Sequence, residues 1–265
     1  MTPYLFSLMM WLTMTPATEL HAGPGKPARS GATAAPSVSV TAAPGSAATA
    51  PAPGSAATAT AAPAAAPAPA SPADEIVAKV QAVYEKTFAF KAAFTQIYTH
   101  KVYKRDMKST GVVYFKKPGL MRMEYTTPEK KVFVADGKFF WMYEPAEDSA
   151  IKAPLDDTTL PTSITFLMGK GDLRTEFEAK LLTGHPLGAK GAFVLELTPR
   201  GSTAHYKKLQ LVVSPTTYFV EETLVFDPTG NVNHIVFGKP DLDGGLDPKL
   251  FIFDVPPGVK VVEAK

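Results

Sequence analysis

Apolar residues recur at helical spacing between Ser71 and about Lys86, and this pattern predicts one amphipathic helix. Ser71 can cap the first turn, and proline is well suited to the first helical position. Acidic residues in the first turn complement the positive end of the helix dipole. The apolar face of the predicted helix comprises Ile76, Val77, Val80, Val83 and Tyr84.

From Phe88 onward the period changes to two, which is typical of strands with one buried face. Phe88, Phe90, Ala92 and Phe94 alternate with smaller or polar residues, and Lys117-Pro118-Gly119 separates a strand through Val113 and Phe115 from the next one. Later strands are predicted at 120–125, 177–182, 192–198, 206–213, 218–226 and 232–237.

A hairpin is the strongest local signal. Strands 132–135 and 139–143 flank Asp136-Gly137, which tolerates the positive φ angles of a type I′ turn. If Phe133 pairs with Phe140, then Phe133, Phe140 and Met142 share one face. Large apolar residues also occupy the opposite face, so we expect both faces to be covered.

The alternation is lost between 155 and 171, where an apolar stretch at 160–169 predicts a short helix that a glycine ends. One helix, many antiparallel strands, a helical interruption and further strands indicate a mainly β, α+β fold. We expect an antiparallel sheet large enough to curl, with helices over one opening.

The N-terminal part has a different character. An apolar run at 4–14 and the small residues near Ala22 predict a secretory signal at 1–22, although no basic residue precedes the run. A mistaken start site and an uncleaved anchor are the alternatives. Residues 31–70 contain 19 Ala and 7 Pro among 40 residues, which predicts a disordered tether at 23–72. The remainder is predicted to form one domain, 73–265.

Charge and composition exclude several classes of function. From Asp74 onward there are 25 basic and 24 acidic residues, so neither a nucleic-acid footprint nor a polybasic membrane-surface patch is evident. The absence of cysteine excludes disulfides, thiol catalysis and an N-terminal lipid-modified cysteine.

No catalytic or cofactor motif is found, and the five histidines lack metal-ligand spacing. Asp241, Asp243 and Asp247 suggest either a calcium loop or a polar hairpin turn, and the turn is favoured because the closing Glu is missing. Ser163 and His185 are the sole candidates for a lipid hydrolase. We therefore expect a protein without enzymatic activity or cofactor.

Methionine is unusually prominent on the predicted strand 120–125, where Met121 and Met123 alternate with Leu120, Arg122 and Glu124. Because methionine is unbranched and polarizable, it suits a surface that accepts flexible chains of varying shape. An ordinary sandwich core is the alternative explanation of the same pattern.

An ordered set of residues resembles the LolA family of periplasmic carriers of outer-membrane lipoproteins. The set extends over about residues 74–262 and consists of Phe94-Thr95-Gln96, Gly111, Lys117-Pro118, Leu120-Met121-Arg122, Tyr125, Pro128, Val134-Ala135-Asp136-Gly137-Lys138, Trp141, Tyr143, Pro145 and the tail Phe251-Ile252-Phe253-Asp254-Val255-Pro256-Pro257-Gly258-Val259.

The resemblance implies an unclosed antiparallel β-barrel, a half-barrel whose apolar cavity lies under an α-helical lid. By position it implies that Lys117 replaces a family arginine that holds the lid closed; lysine keeps the charge but lacks the planar fork of donors. We predict cavity residues Phe115, Met121, Met123, Phe133, Phe140 and Met142, and lid residues Ile164, Phe166, Leu167 and Met168.

The same resemblance implies acylated lipoproteins as cargo and an inner-membrane lipoprotein-releasing ABC transporter as donor, and it leaves open an outer-membrane acceptor. We expect a periplasmic monomer that binds no nucleic acid, tethered to the inner membrane if the leader is uncleaved. A sensor or regulator on the same scaffold is the alternative function.

Overall fold

The computed structural model describes residues 71–155, 171–242 and 245–264. Two α-helices lie in this part of the chain: α1 (Pro72–Lys86) and the single-turn α2 (Leu173–Glu176). The strands are β1 (Ala89–His100), β2 (Arg105–Lys116), β3 (Leu120–Thr127), β4 (Lys131–Asp136), β5 (Phe139–Glu144), β6 (Ser149–Pro154), β7 (Phe177–Leu181), β8 (Phe193–Pro199), β9 (Lys208–Val213), β10 (Val220–Phe226), β11 (Val232–Phe237) and β12 (Lys260–Glu263).

All twelve described strands form one sheet in the order β12-β6-β5-β4-β3-β2-β1-β11-β10-β9-β8-β7. Neighbouring strands are antiparallel except β12 and β6, which are parallel. The sheet has two ends, β12 and β7, so it is an open half-barrel. The predicted fold class is confirmed, and the boundaries of the predicted strands agree with the observed ones to within a few residues.

Helix α1 begins where the sequence predicts. The Ser71 hydroxyl accepts a hydrogen bond from Asp74 N, and the Asp74 carboxylate accepts one from Ser71 N, which completes a capping box. The Ser71 hydroxyl also donates to the Asp74 carboxylate, and this hydrogen bond, together with the one from Ser71 N, lowers the pKa of Asp74. The buried side of the helix packs into the main core cluster through Ala73, Ile76, Val77, Val80 and Tyr84.

The predicted hairpin is confirmed, but its register and turn type are corrected. Phe133 pairs with Met142, not with Phe140, and Phe140 pairs with Ala135. The strands leave Gly137 and Lys138 between them, and Gly137 alone of this pair has a positive φ, +94°. A type I′ turn requires a positive φ at both central residues, so the turn is not of the predicted type. Because the shift in register is two residues, the face assignments stay as predicted.

The expectation that both faces of the hairpin are covered is also correct. Val134, on the outer face, is fully buried. A C-terminal 3₁₀ turn, Pro248–Phe251, packs against this face at β3 and β4. The ring of Phe253 lies 5.3 Å from that of Trp141 and 5.5 Å from that of Tyr143, measured between centroids. The family-like tail therefore closes the outside of the sheet.

Several predicted segments lie outside the described residues: the signal at 1–22, nearly all of the tether at 23–72, and the helix at 160–169. Phe88, which the alternation placed on the buried side, precedes β1 and is 64% exposed. Neither α1 nor α2 has the length and apolar content needed to cross a bilayer.

Candidate functional site

The inner face of β1–β6 carries two continuous apolar rows, which run across the strands through directly paired residues. Alternation along each strand places every second residue on this face, and the register aligns them from strand to strand. The first row is Phe90, Phe115, Met121, Ala135, Phe140 and Ala153, and the second row is Ala92, Val113, Met123, Phe133, Met142 and Ile151.

All six predicted cavity residues therefore lie together on one face. Phe115, Met121 and Phe140 belong to the first row; Met123, Phe133 and Met142 belong to the second. Their side chains are 1 to 4% exposed, and they share one core cluster with the apolar side of α1. That they receive a ligand stays a prediction.

A third row ends the apolar surface with polar groups. Tyr125 pairs with Gly111 on one side and with Lys131 on the other. Lys131 Nζ lies 3.3 Å from Glu144 Oε1, a largely buried ion pair. The buried Tyr125 hydroxyl has no hydrogen-bond partner among the described residues, and burial raises the pKa of this hydroxyl. The inner face is thus apolar over two rows and polar at the third.

Lys117 lies at the end of α1. Its Nζ donates to Tyr84 O at 2.6 Å and to Glu85 O at 2.9 Å, two carbonyls of the last helical turn. A cation at this end also interacts favourably with the helix dipole. The structure therefore places this side chain on α1, whereas the predicted lid residues Ile164, Phe166, Leu167 and Met168 lie outside the described residues.

A cavity of about 570 Å³ lies beside the same end of α1. Its apolar lining includes Val83, Phe219 and Leu246, and the exposed Phe88 and Leu242 stand at its rim. Lys86 and Lys116 supply the cationic part of the lining. This volume is within the range of small-molecule sites, which is about 300–1,000 Å³.

Aromatic packing separates this cavity from the rows. The Tyr84 ring makes edge-on contacts with Phe219 at 5.4 Å and with Phe90 at 6.2 Å between centroids, and the Phe90 and Phe115 rings lie 4.9 Å apart in a tilted arrangement. The Tyr84 hydroxyl accepts a hydrogen bond from Val220 N. Tyr84 thus lies between Phe219 of the cavity lining and Phe90 of the first row.

Nothing in the described ranges resembles a catalytic or metal centre. No group of three potential metal ligands occurs there. Asp241 forms an ion pair with Lys91, and Asp247 accepts a hydrogen bond from Lys249 N. Of the hydrolase candidates, His185 accepts a hydrogen bond from Leu187 N through Nδ1, and Ser163 lies outside the described residues.

Comparison with known proteins decides the family. Residues 85–254 match the family described as outer membrane lipoprotein carrier protein LolA. This chain belongs to the LolA family. The match includes β1–β11 and the C-terminal 3₁₀ turn, and therefore both apolar rows. LolA proteins are a family of carriers and not of enzymes.

Individual relatives are also named as lipoprotein carriers. The outer-membrane lipoprotein carrier protein of Pseudomonas aeruginosa PAO1 is 27% identical over 187 residues, which is 71% of this chain and 87% of the relative. That of Nitrosomonas europaea is 25% identical over 187 residues, 70% and 88% of the two chains. The crystal structure of a LolA superfamily protein from N. europaea superposes with a TM-score of 0.39 and 14% identity, and covers 68% of this chain and 97% of that one.

The sequence analysis did not identify all residues of the two apolar rows, and it did not identify the cavity beside α1. Phe90 and Ala92 showed the strand alternation but were not assigned to the cavity, although the same parity leads to them. Ala135 and Ala153 gave no signal, because alanine does not mark a face by its size. The cavity beside α1 joins a helix end to Leu242, Gly245 and Leu246, and these segments are too far apart in sequence for any local pattern to connect them.

Proposed function

We propose that this LolA protein is a periplasmic carrier that shelters the acyl chains of lipoproteins on its inner face during transfer to the outer membrane. One observation carries the proposal: two apolar rows run unbroken across six strands and contain all three of the predicted methionines. An acyl chain transfers from a bilayer only to a surface of comparable apolar character, because each buried CH₂ contributes about 0.8 kcal/mol.

Loading requires that the present cover of the rows moves. The rows are buried in part by α1, and we assign the rest of the cover to the lid at 155–171 with Ile164, Phe166, Leu167 and Met168. Methionine favours such an exchange, since its flexible side chain packs equally well against protein and acyl neighbours. The cavity beside α1 supplies the route of entry, with Tyr84 between it and the first row.

The remaining assignments follow from the same proposal. The donor is an inner-membrane lipoprotein-releasing ABC transporter, and delivery ends at the outer membrane, with or without a dedicated acceptor. Residues 1–22 direct export, residues 23–72 form the tether, and 73–265 carry the cargo as a monomer. Lys117 acts on closure through α1, whose end it holds.

Photo-crosslinking tests the inner face without altering its packing. Photo-methionine, a diazirine analogue close to methionine in shape, replaces methionine throughout the chain, which is then loaded with a triacylated lipoprotein. We expect acyl crosslinks at Met121, Met123 and Met142 when peptides are mapped by mass spectrometry. Met107, in the part of β2 that extends beyond β3, is the internal control. Crosslinks spread evenly over Met107 and the three row residues would exclude the rows as the binding surface.

A charged substitution on the inner face tests whether this face is needed for lipoprotein release. We expect Met123→Glu to abolish release of an acylated lipoprotein from spheroplasts in soluble form, because an ionised carboxylate is costly in an apolar site. The matched control is Leu120→Glu, which places the same group on the opposite face of β3. Circular dichroism confirms that both variants are folded. Undiminished release by Met123→Glu would contradict the cavity assignment.

The lipoprotein released in this assay can also be used to distinguish a carrier from a sensor and from a lipid hydrolase. Transfer of the bound lipoprotein to outer-membrane vesicles supports a carrier, whereas stable retention supports a sensor. Free fatty acid in the reaction would show lipid hydrolysis and would contradict the proposal.

A further inference from the structure

The hairpin tip between β1 and β2, residues 100–105, exposes two large apolar side chains. Val102 is 75% exposed and Tyr103 is 74% exposed, more than any other large apolar residue in the described ranges. Neither contributes to the core or to the family binding face. Adjacent exposed apolar side chains rimmed by polar residues are typical of interaction sites.

Cations surround these two residues. Lys101, Lys104, Arg105 and Lys108 are all exposed; the acidic residues nearby are Asp106, whose carboxylate accepts a hydrogen bond from Thr99, and Asp227 of the β10–β11 turn, whose carboxylate accepts hydrogen bonds from Asn231. The balanced charge of the whole domain conceals this local excess, which is why composition shows no polybasic patch. The tip therefore combines an apolar end, Val102 and Tyr103, with a group of surrounding cations. This group, which we call the positive collar, consists of Lys101, Lys104, Arg105 and Lys108.

The tip extends beyond its neighbour in the sheet. Pairing of β1 with β2 continues to His100 and Arg105, whereas pairing of β2 with β3 ends at Thr110 and Thr127. Five residues of β2 thus overhang β3, which corresponds to about 17 Å. Because of this overhang, the tip lies farther along the strand direction than the turn that follows β3. A flat surface at this end of β2 and β3 would therefore contact the tip before it contacts that turn.

Local contacts fix the conformation of the tip. Tyr103 N donates to His100 Nδ1 at 3.4 Å, and the two rings lie 4.5 Å apart between centroids. On the other side, Lys101 N donates to Asn231 Oδ1 in the β10–β11 turn. A tip that is ordered before binding loses less conformational entropy when it binds.

The geometry points to a docking site for the surface of an anionic phospholipid membrane at residues 100–105. Tyrosine is favoured at the level of the headgroups, where its ring is apolar and its hydroxyl remains hydrated. Valine inserts beside it, and the cations face the lipid phosphates, at about 1 kcal/mol for each cation near the surface. This docking is separate from cargo binding, since it involves no residue of the two rows.

A fluorescent label at the tip tests membrane insertion directly. The chain contains no cysteine, so Val102→Cys introduces a unique site for an environment-sensitive nitrobenzoxadiazole dye in the full chain. The control is Lys138→Cys, in the exposed β4–β5 turn at the opposite end of the sheet. With phosphatidylglycerol-containing vesicles we expect a blue shift of the Val102 label and no shift of the Lys138 label. No shift at Val102, or equal shifts at both sites, would overturn the proposal.

Charge reversal tests the collar with the same readout. Lys104→Glu with Arg105→Glu should weaken vesicle binding roughly tenfold or more, because two attractions become repulsions. Lys138→Glu with Lys239→Glu makes the same change in net charge away from the tip and should leave binding nearly unchanged. Equal effects of the two pairs, or equal binding to phosphatidylcholine vesicles, would contradict specific docking by the tip.

Membrane docking by the tip can be tested independently of cargo binding by the inner face. Met123→Glu should lose lipoprotein release and keep vesicle docking, whereas the charge-reversed tip should keep cargo binding and lose docking. Binding of the tip to a soluble protein, without any to vesicles, would exclude the membrane as its partner.

Discussion

Gly111 shows how one residue shapes the inner face. It lies between Phe94 on β1 and Tyr125 on β3, in the polar third row. A Cβ at this position would stand 2.1 Å from Glu124 O and 2.7 Å from the Phe94 ring. The Phe94 and Tyr125 rings instead meet edge-on over the glycine at 5.0 Å between centroids. Glycine is required here by close approach, and not by a positive φ.

We therefore expect Gly111→Ala to destabilise the fold by about 3 kcal/mol, since the backbone carbonyl that blocks the methyl group cannot rotate away. Urea unfolding followed by circular dichroism measures the change. Gly201→Ala is the control, because a Cβ at Gly201 meets no atom within 4 Å. Equal stability of the two variants would show that β2 and β3 can separate without cost.

At the scale of elements, α1 is attached to the sheet at its C-terminal end by a side chain from the β2–β3 turn. Lys117 Nζ donates to Glu85 O and adds a second hydrogen bond to Tyr84 O, while Thr87 N donates to Val83 O and Tyr84 O. The turn that follows β2 thereby fixes the position of Tyr84, which separates the cavity from the first row.

Lys117→Leu should lower stability by about 1–2 kcal/mol through loss of these charge-assisted hydrogen bonds. It should also speed hydrogen exchange in the last turn of α1 and slow lipoprotein transfer. Lys86→Leu is a matched control: it removes a lysine from the same turn, and no described residue bonds to the Lys86 ammonium. If both variants transferred cargo at the parental rate, Lys117 would have no part in closure.

Strands β8 and β9 contain a pH-dependent contact on the outer face. Glu196 Oε2 accepts hydrogen bonds from Lys208 Nζ at 2.6 Å and from Gln210 Nε2 at 3.1 Å. The hydrogen bond from Lys208 is the main cause of the lowered pKa of Glu196. A lowered pKa in the folded state stabilises the protein above the unfolded pKa, and the contribution disappears as the pH falls through the folded value.

We expect Glu196→Gln to lose less stability than the parent protein between about pH 5 and about pH 3, because the substituted amide does not take up a proton. Urea unfolding at a series of pH values measures this difference. Glu178→Gln, on the exposed face of the adjacent β7, should follow the parent curve. An unchanged acid dependence in Glu196→Gln would show that the contact does not persist in solution.

At the scale of the whole molecule, the open sheet is covered on both sides by different parts of the chain. Helix α1 packs on the inner face, and the C-terminal segment packs on the outer face of β3–β5. Arg122 donates to Leu250 O, and Phe251 is 1% exposed. The inner and outer faces of the sheet are therefore covered by separate segments of the chain.

Phe251→Ala should destabilise the protein by about 3–5 kcal/mol, the usual cost of removing a buried phenyl ring. Ile252→Ala provides the control, because Ile252 is 55% exposed and its loss should cost under about 0.5 kcal/mol. Thermal unfolding measures both. Similar melting temperatures for the two variants would mean that the C-terminal segment does not contribute to the stability of the sheet.

The sequence alone determined most of the described elements and their faces, but not β6 or β12. Alternation placed Met121, Met123 and Met142 on one side of the sheet, because side chains of a strand alternate whatever the strand pairs with. The capping pattern at Ser71 and the Asp136-Gly137 hairpin are equally local, so both were predictable.

Only the tertiary structure decided what these faces meet. The pairing of Phe133 with Met142, the attachment of Lys117 to α1 and the cavity beside Tyr84 all depend on residues distant in sequence. The overhang of the β1–β2 tip depends on where β3 ends, which no pattern within β1 or β2 can indicate. Periodicity specifies the direction in which a side chain points. Strand register and the packing of distant segments specify which residues it contacts, and function depends on these contacts.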